Sequence, residues 1–364
     1  MLAALLEAPE KPLVVVDDID IDGPETGEVL VRAHFCGLCH SDVSVITGTY
    51  AAAPIIVGHE AAGVVEAVGP GVTRVKPGDP VMLTPCPPCG SCYWCLRGEQ
   101  SICVNANAIS TNTFPDGRTR LSRRGETVYR GLGVGAFAQF VLTQETGAVP
   151  VPPGTPLDVA CVIGCAVQTG VGAVLNCAQV EAGATVLVMG LGGIGISVVQ
   201  GARLAGASRI IVSDPVSARR DAAAGFGATD AIDPTTTDVR EEVMRLTGVG
   251  ADYAFDAVGS AALIETGLAA TRNGGTVVLV GAPPLGDTLT IEPVIMLVTE
   301  KKLRGTLLGS SNSPFEVPRL ISLWQSGRLD LDGMVTAVRP LAEVNEAVDD
   351  LEHGRGIRTV MRIP

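Results

Sequence analysis

The sequence predicts an α/β protein of two domains, one mostly antiparallel and β-rich, the other doubly wound around a parallel sheet. Up to about Cys165, glycine, proline and β-branched residues alternate in short runs, a pattern typical of strands and turns. After Cys165 short apolar runs alternate with helical stretches, which indicates βαβ units. With 364 residues, the chain is long enough for two domains that each bury a core.

The first domain is predicted to span residues 1–166. Apolar runs such as 27–32 and 62–68 predict its strands, and the glycine- and proline-rich segment 69–71 predicts a turn between strands. The last segment, 305–364, returns to a mixed pattern. We therefore expect the end of the chain to rejoin the first domain.

Within the segment 86–103, four cysteines follow the pattern C-x2-C-x2-C-x7-C, namely Cys89, Cys92, Cys95 and Cys103. Four thiolates complete a tetrahedral zinc shell and leave no position for substrate. This spacing therefore predicts a structural zinc lobe. Cys86, three residues before the pattern, is an extra thiol and an alternative ligand.

A second, sparser set of metal-binding residues comes from distant points of the chain. Cys39 lies in a Gly-Leu-Cys-His-Ser-Asp segment, His59 in Gly-His-Glu and Cys165 in Ile-Gly-Cys-Ala. Two thiolates and one imidazole suit a catalytic zinc ion, whose fourth position stays open for water or a substrate oxygen. The sequence therefore predicts two zinc ions per chain, one structural and one catalytic.

A glycine-rich turn marks the second domain, which is predicted over residues 167–304. The turn follows the apolar run 184–189 and precedes a helical stretch. In such a turn the first glycine permits a sharp bend, the second lets the backbone approach a pyrophosphate, and the third allows helix and strand to pack closely. The helix N-terminus offers N–H groups to phosphate. The predicted dinucleotide-binding residues here are Gly190, Gly192, Gly193, Ile194 and Gly195.

Asp214 lies 19 residues after Gly195, at the end of the next apolar strand. A carboxylate at this point accepts hydrogen bonds from the adenosine ribose and repels a 2′-phosphate. The sequence therefore predicts NAD rather than NADP as the coenzyme. Arg219 and Arg220 are the nearby residues that would weaken this preference.

The charge of the chain argues against a nucleic-acid partner. There are 39 acidic and 26 basic residues, for a net charge of −13, and no cluster of Lys and Arg that would follow a phosphate backbone. Five arginines fall within 118–130, but acidic residues are interspersed with them. We interpret this segment as a solvated loop.

The ten cysteines and the N-terminus bear on the compartment. C-x2-C spacing in a chain of this length indicates metal binding rather than a disulfide framework, so we expect a cytoplasmic protein with reduced thiols. The first residues lack the basic segment and the long apolar run of a signal peptide. The low-charge stretch 161–180 contains polar residues and glycines, so it predicts a buried helix and no membrane partner.

Together these motifs resemble a zinc-containing alcohol dehydrogenase of the medium-chain dehydrogenase/reductase superfamily. The resemblance covers almost the whole chain, and both cysteine sets, the glycine turn and the segments 37–42, 58–65 and 164–170 carry it. It implies a Rossmann domain that binds NAD and a GroES-like catalytic domain that contains both zinc sites. The segment 114–140 resembles the long loop of the liver-type and glutathione-dependent formaldehyde dehydrogenase branch, which implies a homodimer.

The resemblance also implies roles for single residues. Glu60 matches a second-sphere carboxylate that can approach the zinc, Asp42 matches the group that orients His59, and Ser41 matches the hydroxyl that takes the alcohol proton. The positions that match coenzyme contacts are His40, Thr169, Asp214, Arg219, Val258, Val280, Ala282 and Arg358.

The chain departs from liver-type relatives along the proton path. Ser44 stands where those relatives have a histidine at the outer end of a relay. His40 directly follows the zinc cysteine, where many relatives have an arginine that faces the pyrophosphate. His40 is therefore assigned to the pyrophosphate, to the proton path, or to both.

The implied reaction is reversible hydride transfer between a primary or secondary alcohol, a small molecule, and NAD. Positions that line the substrate cleft in relatives are Tyr50, Leu83, Ala108, Gly131, Leu132, Ala282 and Leu308. Because two of these residues are small where liver-type enzymes carry bulkier groups, the sequence favours a bulky or aromatic alcohol.

Three alternatives to this reaction differ in their fit to the sequence. One is a thiol-dependent formaldehyde dehydrogenase that acts on an S-hydroxymethyl adduct. Another is a relative with tightly bound nicotinamide that passes electrons to an external acceptor. The third, a nucleotide-binding protein without catalysis, is disfavoured because the zinc ligands and Ser41 are all present.

Overall fold

The structure is a computed structural model that describes residues 1–49 and 52–364. The chain forms two compact units, one of Met1–Ala166 with Asn312–Pro364 and one of Val167–Ser311. The second unit extends beyond residue 304, the end predicted from the sequence. It does so because the following turn hydrogen-bonds within the same unit, where Asn176 Nδ2 donates to the carbonyl of Gly309 at 3.4 Å.

The strands, in chain order, are β1 (Ala3–Leu6), β2 (Val14–Val16), β3 (Ile19–Ile21), β4 (Glu28–Gly37), β5 (Ile55–Ile56), β6 (Glu60–Val68), β7 (Pro80–Leu83), β8 (Leu121–Arg123), β9 (Glu126–Thr127), β10 (Tyr129–Arg130), β11 (Phe140–Gln144), β12 (Ala148–Pro150), β13 (Thr185–Met189), β14 (Arg209–Ser213), β15 (Asp230–Ile232), β16 (Ala251–Asp256), β17 (Thr271–Leu279), β18 (Lys302–Gly305), β19 (Val335–Pro340) and β20 (Arg358–Arg362).

The helices are α1 (His40–Ile46), α2 (Tyr93–Leu96), α3 (Ala108–Thr111), α4 (Leu157–Ala160), α5 (Ala166–Gly172), α6 (Gly193–Ala205), α7 (Ser217–Phe226), α8 (Val239–Thr247), α9 (Ala261–Ala270), α10 (Pro293–Thr299), α11 (Ser313–Gln325) and α12 (Val344–Glu352), and a π-helical turn, Ala173–Ala178, follows α5. Among the described residues, no single helix is long and apolar enough to cross a membrane, although Leu157–Gly164 and Ala166–Ala178 pass that test together as a bent pair.

The first unit is built on a seven-stranded sheet in the order β12-β7-β6-β4-β20-β19, with β11 also paired to β4. Most of its pairs are antiparallel, as the short strand-and-turn pattern predicts. Strand β4 is central because β6 covers one edge, while β11 and β20 share the other. Its alternate residues Val29, Val31 and Ala33 are buried in one apolar core with strands of the two smaller sheets.

The second unit has a six-stranded, all-parallel sheet in the order β15-β14-β13-β16-β17-β18. Strand β13 lies at the centre and is almost wholly apolar, as expected for a parallel strand covered on both faces. The chain runs outward from β13 to β15 and then returns to β16 on its other side. The strand order therefore reverses between β13 and β16, which is where open α/β sheets bind ligands.

The interpretation of 118–130 as a solvated loop is wrong for two of its arginines. Arg120 is buried and pairs with Glu28 at 2.8 Å and with Asp116 at 2.9 Å. Arg130 is also buried, and its guanidinium carbon lies 3.6 Å from the centre of the Phe114 ring. Burial lowers the pKa of Arg130 to about 9. These arginines hold the loop onto the first unit through ion pairs and a cation–π contact.

Candidate active site

Cys89, Cys92, Cys95 and Cys103 form a tight group, named here the lobe cluster. Their sulfur atoms all lie within 4.8 Å of one another, with separations of 4.0 Å for Cys89–Cys95 and 3.8 Å for Cys92–Cys103. Tetrahedral zinc with Zn–S bonds of about 2.3 Å requires sulfurs about 3.8 Å apart. The lobe cluster therefore fits zinc, with every coordination position filled by protein.

Backbone N–H groups support the thiolates of the lobe cluster. The amides of Cys89 and Asn105 donate to Cys103 Sγ at 3.3 and 3.4 Å, and the amide of Cys92 donates to Cys89 Sγ at 3.3 Å. Cys86 stands outside this group: its sulfur is buried and is not one of the four. Burial raises the pKa of Cys86 to about 12. Its position outside the group of four sulfurs is what separates it from the lobe cluster.

The second group, named here the buried cluster, contains Cys39, His59, Glu60 and Cys165. One ligand atom from each residue lies within 4.8 Å of the others, and all four residues are buried. Cys39 caps the N-terminus of α1, Glu60 begins β6 directly after His59, and Cys165 follows the short turn 161–164. Three soft or imidazole ligands beside a carboxylate are a donor set that suits zinc with an open position.

Asp42 connects the separate chain segments of the buried cluster. One carboxylate oxygen accepts the backbone N–H of Cys39 at 3.0 Å. The other accepts the N–H of Gly58 at 2.8 Å and lies 3.1 Å from His59 Nδ1. A carboxylate at Nδ1 makes that nitrogen the hydrogen-bond donor, which leaves Nε2 as the metal-binding nitrogen.

Glu60 is fully buried, and no group of residues 1–49 and 52–364 donates a hydrogen bond to either of its carboxylate oxygens. Its nearest opposite charge is the guanidinium of Arg358, 3.4 Å from Oε1. Burial raises the pKa of Glu60 to about 7, while Arg358 acts in the opposite direction. The carboxylate occupies space that only glycine leaves at position 37, since a Cβ there would collide with Glu60 Oε2.

Ser41 and His40 lie in the first turn of α1, beside the buried cluster. The hydroxyl of Ser41 is 3.8 Å from Cys39 Sγ and is half-buried. His40 is exposed. The Ser44 hydroxyl donates to the backbone carbonyl of His40 at 3.2 Å, so its hydrogen bond stays within the helix and does not extend a chain of side-chain hydroxyls.

In the second unit, the glycine turn joins β13 to α6. Gly190 has a φ of +88°, which strongly favours glycine. A Cβ at Gly195 would collide with the carbonyl of Gly190, so this glycine lets the helix approach the strand. A Cβ at Gly192 would meet nothing within 4 Å, so the space in front of the helix N-terminus is open. The turn therefore has the shape and the N–H groups that a pyrophosphate requires.

Asp214 follows β14 and is buried beside the same turn. Its carboxylate accepts the N–H of Leu191 at 2.7 Å and that of Val216 at 2.8 Å. Two backbone bonds leave lone pairs for a ribose diol, because a carboxylate can accept about four hydrogen bonds. Arg220 donates to the carbonyl of Asp214 and pairs with Asp233 at 2.8 Å, so its charge is already compensated.

Two family models match the chain. The model described as alcohol dehydrogenase GroES-like domain matches residues 25–153, and the model described as zinc-binding dehydrogenase matches residues 193–325. A putative alcohol dehydrogenase D from Mycobacterium tuberculosis is 38% identical over 364 residues, which cover 99% of this chain and 98% of that protein. The chain belongs to the zinc-containing medium-chain alcohol dehydrogenases.

Two further relatives extend this assignment. An S-(hydroxymethyl)glutathione dehydrogenase from Escherichia coli is 36% identical over 366 residues, which cover 99% of both chains. The crystal structure of a benzyl alcohol dehydrogenase from Acinetobacter calcoaceticus superposes with a TM-score of 0.94 at 29% identity, and covers 100% of this chain and 99% of that one. As a member of this family, the chain is an NAD-dependent zinc oxidoreductase that acts on CH–OH groups.

The remaining predicted coenzyme residues of this dehydrogenase fall in two places. Thr169, Val258, Val280 and Ala282 belong to the second unit, and the hydroxyl of Thr169 is buried without a hydrogen-bond partner in the part of the chain that the structure describes. Arg358 belongs to the first unit, where Nη1 donates to the carbonyl of Leu38 at 2.6 Å. The structure thus brings Arg358 to the buried cluster.

Asp256, at the predicted coenzyme site of the second unit, was not predicted from the sequence. It ends β16 and is fully buried, and it accepts the N–H groups of Val258, Gly259 and Ser260, each at 3.0 Å. It therefore shapes the loop that follows β16 at the strand-order reversal. The signal in the sequence was an aspartate at the end of an apolar strand, directly before a glycine-containing turn.

The small residues predicted to enlarge the substrate cleft have a second explanation. A Cβ at Gly131 would lie 2.8 Å from the carbonyl oxygen of Ile56, so the chain at 56–57 occupies that space. A Cβ at Gly133 would lie 2.8 Å from Cβ of Ala108. Close packing of the backbone therefore explains part of the small side-chain size at these positions. Tyr50, another predicted cleft residue, lies outside the described residues.

Proposed function

We propose that the protein oxidises a bulky or aromatic primary or secondary alcohol with NAD, and that the buried cluster is its catalytic centre. The single observation that carries this proposal is the convergence of Cys39, His59 and Cys165 next to Ser41. When bound, zinc supplies Lewis-acid polarisation of the alcohol hydroxyl, and nicotinamide accepts the hydride. Cys39, His59 and Cys165 would hold the catalytic zinc, and the lobe cluster would hold the structural zinc.

Within this site Ser41 supplies a hydroxyl group 3.8 Å from Cys39 Sγ. Its hydroxyl accepts the proton that the alcohol loses and donates its own proton toward water. Asp42 orients His59, and Glu60 places a buried carboxyl group beside the ligands. Arg358 restrains Glu60 from the other side.

The coenzyme is proposed to bind the second unit through the turn from Gly190 to Gly195, with Asp214 on the adenosine ribose. Arg219 would cover the adenosine, and Thr169, Val258, Val280 and Ala282 would contact nicotinamide. An Asp214→Ser change tests the ribose contact, because it removes the carboxylate that repels a 2′-phosphate. We expect the ratio of kcat/KM for NADP to that for NAD to rise at least tenfold. An unchanged ratio would place coenzyme choice elsewhere.

His40 is proposed to contact the coenzyme pyrophosphate from the start of α1. It is exposed and follows a zinc ligand, so it can donate to an anion without leaving its helix. His40→Gln should weaken NAD binding by a few-fold, because one solvent-exposed contact to an anion contributes about 1 kcal/mol, and His40→Arg should restore it. Titration calorimetry with NAD measures both. A loss of turnover at unchanged NAD affinity would instead assign His40 to the proton path.

Two observations support the bulky or aromatic substrate. One solved structure that superposes with a TM-score of 0.94 is named for benzyl alcohol, and its match covers the full length of this chain. The loop 114–140 is held by buried arginines rather than left free, so it can form a lasting wall of a cleft. The test compares kcat/KM for benzyl alcohol, longer branched alcohols and ethanol. A preference for ethanol would refute this substrate class.

A second candidate function is oxidation of an S-hydroxymethyl thiol adduct. The E. coli relative at 36% identity carries that activity in its name and matches this chain over nearly its full length. The distinguishing measurement is NAD reduction with formaldehyde, with and without glutathione or another low-molecular-weight thiol. Activity that requires the thiol and exceeds that with benzyl alcohol would select this function.

We also propose that the protein is a homodimer in a reducing, cytoplasmic compartment. None of the ten cysteines forms a disulfide, which suits a reducing environment. In the second unit β18 is an edge strand, and the preceding helix α10 has no buried residue. A surface named here the α10 face exposes five large apolar side chains, Leu285, Val294, Ile295, Leu297 and Val298. An uncovered edge strand next to an apolar helix suits pairing with a second copy.

A further inference from the structure

The helix α1, which carries Ser41 and His40, is supported by a short turn at the end of the long loop. The turn covers Gly131–Gly133, is named here the Leu132 turn, and packs against α1. Leu132 is buried in the same apolar core as Val45 of α1. The position of α1 therefore depends on where the Leu132 turn lies.

The chain that follows the Leu132 turn also supports the segment before His59. The N–H of Ala136 donates to the carbonyl of Gly58 at 2.8 Å. A Cβ at Gly58 would lie 2.8 Å from a ring carbon of Phe137, so the two segments are in close contact. Gly58 directly precedes His59, a proposed zinc ligand. One continuous segment, 131–137, thus contacts both α1 and the chain beside His59.

The backbone conformation of Leu132 needs support from its surroundings. Its φ is +54°, in the left-handed region where a bulky side chain is strained. Such a conformation persists only where neighbouring groups hold it. The N–H groups at the start of a helical turn have no acceptor within that turn, and the N–H of Leu132 is one of them. It donates instead to Asn112 Oδ1 at 3.0 Å, so the Asn112 side chain holds the strained turn in place.

Asn112 is itself fixed by several contacts. It is buried and follows α3 with a φ of +57°, a left-handed conformation that asparagine adopts more readily than most residues. Its N–H donates to the carbonyl of Ala108 at 2.9 Å, and its carbonyl accepts the N–H of Arg130 at 3.2 Å. The guanidinium of Arg130 in turn lies against the Phe114 ring. The oxygen that reaches Leu132 therefore comes from a well-held residue.

We propose that Asn112 is a positioning residue for α1: its side-chain oxygen holds the Leu132 turn, and the turn holds the helix that carries Ser41 and His40. The consequence for turnover rests on the proposed function, because it requires Ser41 to accept the alcohol proton. The consequence for the helix itself does not depend on that function. A misplacement of about 1 Å can cost roughly 10²-fold in rate, so a small shift of α1 is measurable in turnover.

Asn112→Gly in the zinc-loaded enzyme tests the proposal, because glycine adopts the left-handed conformation readily but offers no side-chain acceptor. We expect kcat for alcohol oxidation to fall about tenfold and the KM for the alcohol to change less than about threefold, since the loss concerns the chemical step. Amide hydrogen exchange should become about tenfold faster in peptides that cover 40–46 and 131–135, and stay unchanged in 89–103. Two zinc ions per chain should remain. Wild-type exchange in 40–46, or a wild-type kcat, would overturn the proposal.

Two further variants separate positioning from general stability. Asn112→Asp keeps an oxygen that accepts the Leu132 N–H, so its kcat should stay within about threefold of the wild type. Burial of the new carboxyl group should nevertheless lower its melting temperature. Gln179→Gly changes a left-handed residue at the end of a helical turn in the second unit, and should alter neither kcat nor exchange in 40–46.

The outcomes distinguish this proposal from the proposed function. A folded Asn112→Asp variant that loses as much kcat as Asn112→Gly, or an equal loss in Gln179→Gly, would show that Asn112 has no specific positioning role. If the wild type oxidises no alcohol, the proposed function is wrong. The exchange rates of 40–46 in Asn112→Gly and in the wild type then still decide whether Asn112 holds α1.

Discussion

The lobe cluster and the buried cluster both gather cysteine sulfurs within 4.8 Å, but different parts of the fold hold them. The lobe cluster takes all its ligands from the segment 89–103, where turns and backbone N–H groups position each sulfur. The buried cluster draws its ligands from the start of α1, the start of β6 and the turn before α5. Local geometry is sufficient for the first cluster, whereas the second exists only after the β-rich unit has folded.

The chain segments that form the two clusters differ in charge. The segment 89–103 contains two charged residues, Arg97 and Glu99, whereas the charged residues Asp42, Glu60 and Arg358 are buried at the second cluster. Buried ionisable groups cost free energy unless they are paired, and protein sites that keep them do so for chemistry. The difference supports the proposed structural role of the lobe cluster and the proposed catalytic role of the buried cluster, and each prediction below tests these two roles.

The largest expected effect separates the two clusters directly. Cys165→Ser should lower kcat at least ~10³-fold, because the metal that polarises the alcohol is lost while the fold remains. Cys92→Ser should instead destabilise the protein, because zinc binding to a structural site contributes directly to folding. Steady-state kinetics, thermal unfolding and zinc analysis measure these effects, with one zinc ion per chain expected for Cys165→Ser.

The opposite pattern would exchange the roles of the clusters. If Cys92→Ser abolished turnover while the melting temperature stayed unchanged, the lobe would be the catalytic site. If Cys165→Ser unfolded the chain, the buried cluster would be needed for stability, and the loss of activity would carry no mechanistic meaning.

The next largest effect is expected at Asp42, whose carboxylate hydrogen-bonds to two chain segments of the buried cluster. In Asp42→Asn one side-chain oxygen becomes an NH2 group, which faces the N–H of Cys39 or that of Gly58. Ligand-orienting contacts of this kind are worth roughly 10- to 100-fold in metal affinity or activity. We expect a loss of that size in kcat together with faster release of one zinc ion to a chelator.

Asp256→Asn is the matched control for this change. Asp256 is also fully buried and also accepts backbone N–H groups, but it belongs to the second unit. Its substitution should weaken NAD binding and leave both zinc ions in place. Equal zinc release from both variants would mean that Asp42 acts through general stability rather than through its ligands.

The features that sequence could predict are those encoded by spacing or by a strand-to-turn transition. The lobe cysteines, the glycine turn and the parallel sheet fall in this class. The burial of Arg120 and Arg130 could not be predicted, because five basic residues in a short segment are typical of a solvated loop. Their partners Glu28 and Phe114 contact them only in the folded protein. The close packing at Gly131 likewise depends on a distant strand, Ile55–Ile56, that no local pattern reveals.

A smaller effect is expected from a single methyl group beside each cluster. Gly37→Ala would place Cβ against Glu60 Oε2 and displace the carboxylate, and we expect kcat to fall about tenfold. Gly90→Ala in the lobe meets nothing within 4 Å, but its φ of +76° costs about 1 kcal/mol of stability. Kinetics and unfolding of both variants test the contrast. Full activity in Gly37→Ala would show that Glu60 has no part in turnover.

The smallest expected effect defines the boundary of the lobe cluster. Cys86 is buried three residues before the pattern and behaves as a small apolar side chain, so Cys86→Ala should cost only about 1 kcal/mol of stability. The variant should keep two zinc ions per chain, whereas Cys89→Ala should keep one and lose much more stability. Zinc analysis and chemical unfolding distinguish them. Loss of a zinc ion from the Cys86→Ala variant would identify Cys86 as a ligand. Because the Cys86 sulfur is not one of the four grouped sulfurs, zinc binding would then require the lobe to rearrange around the metal.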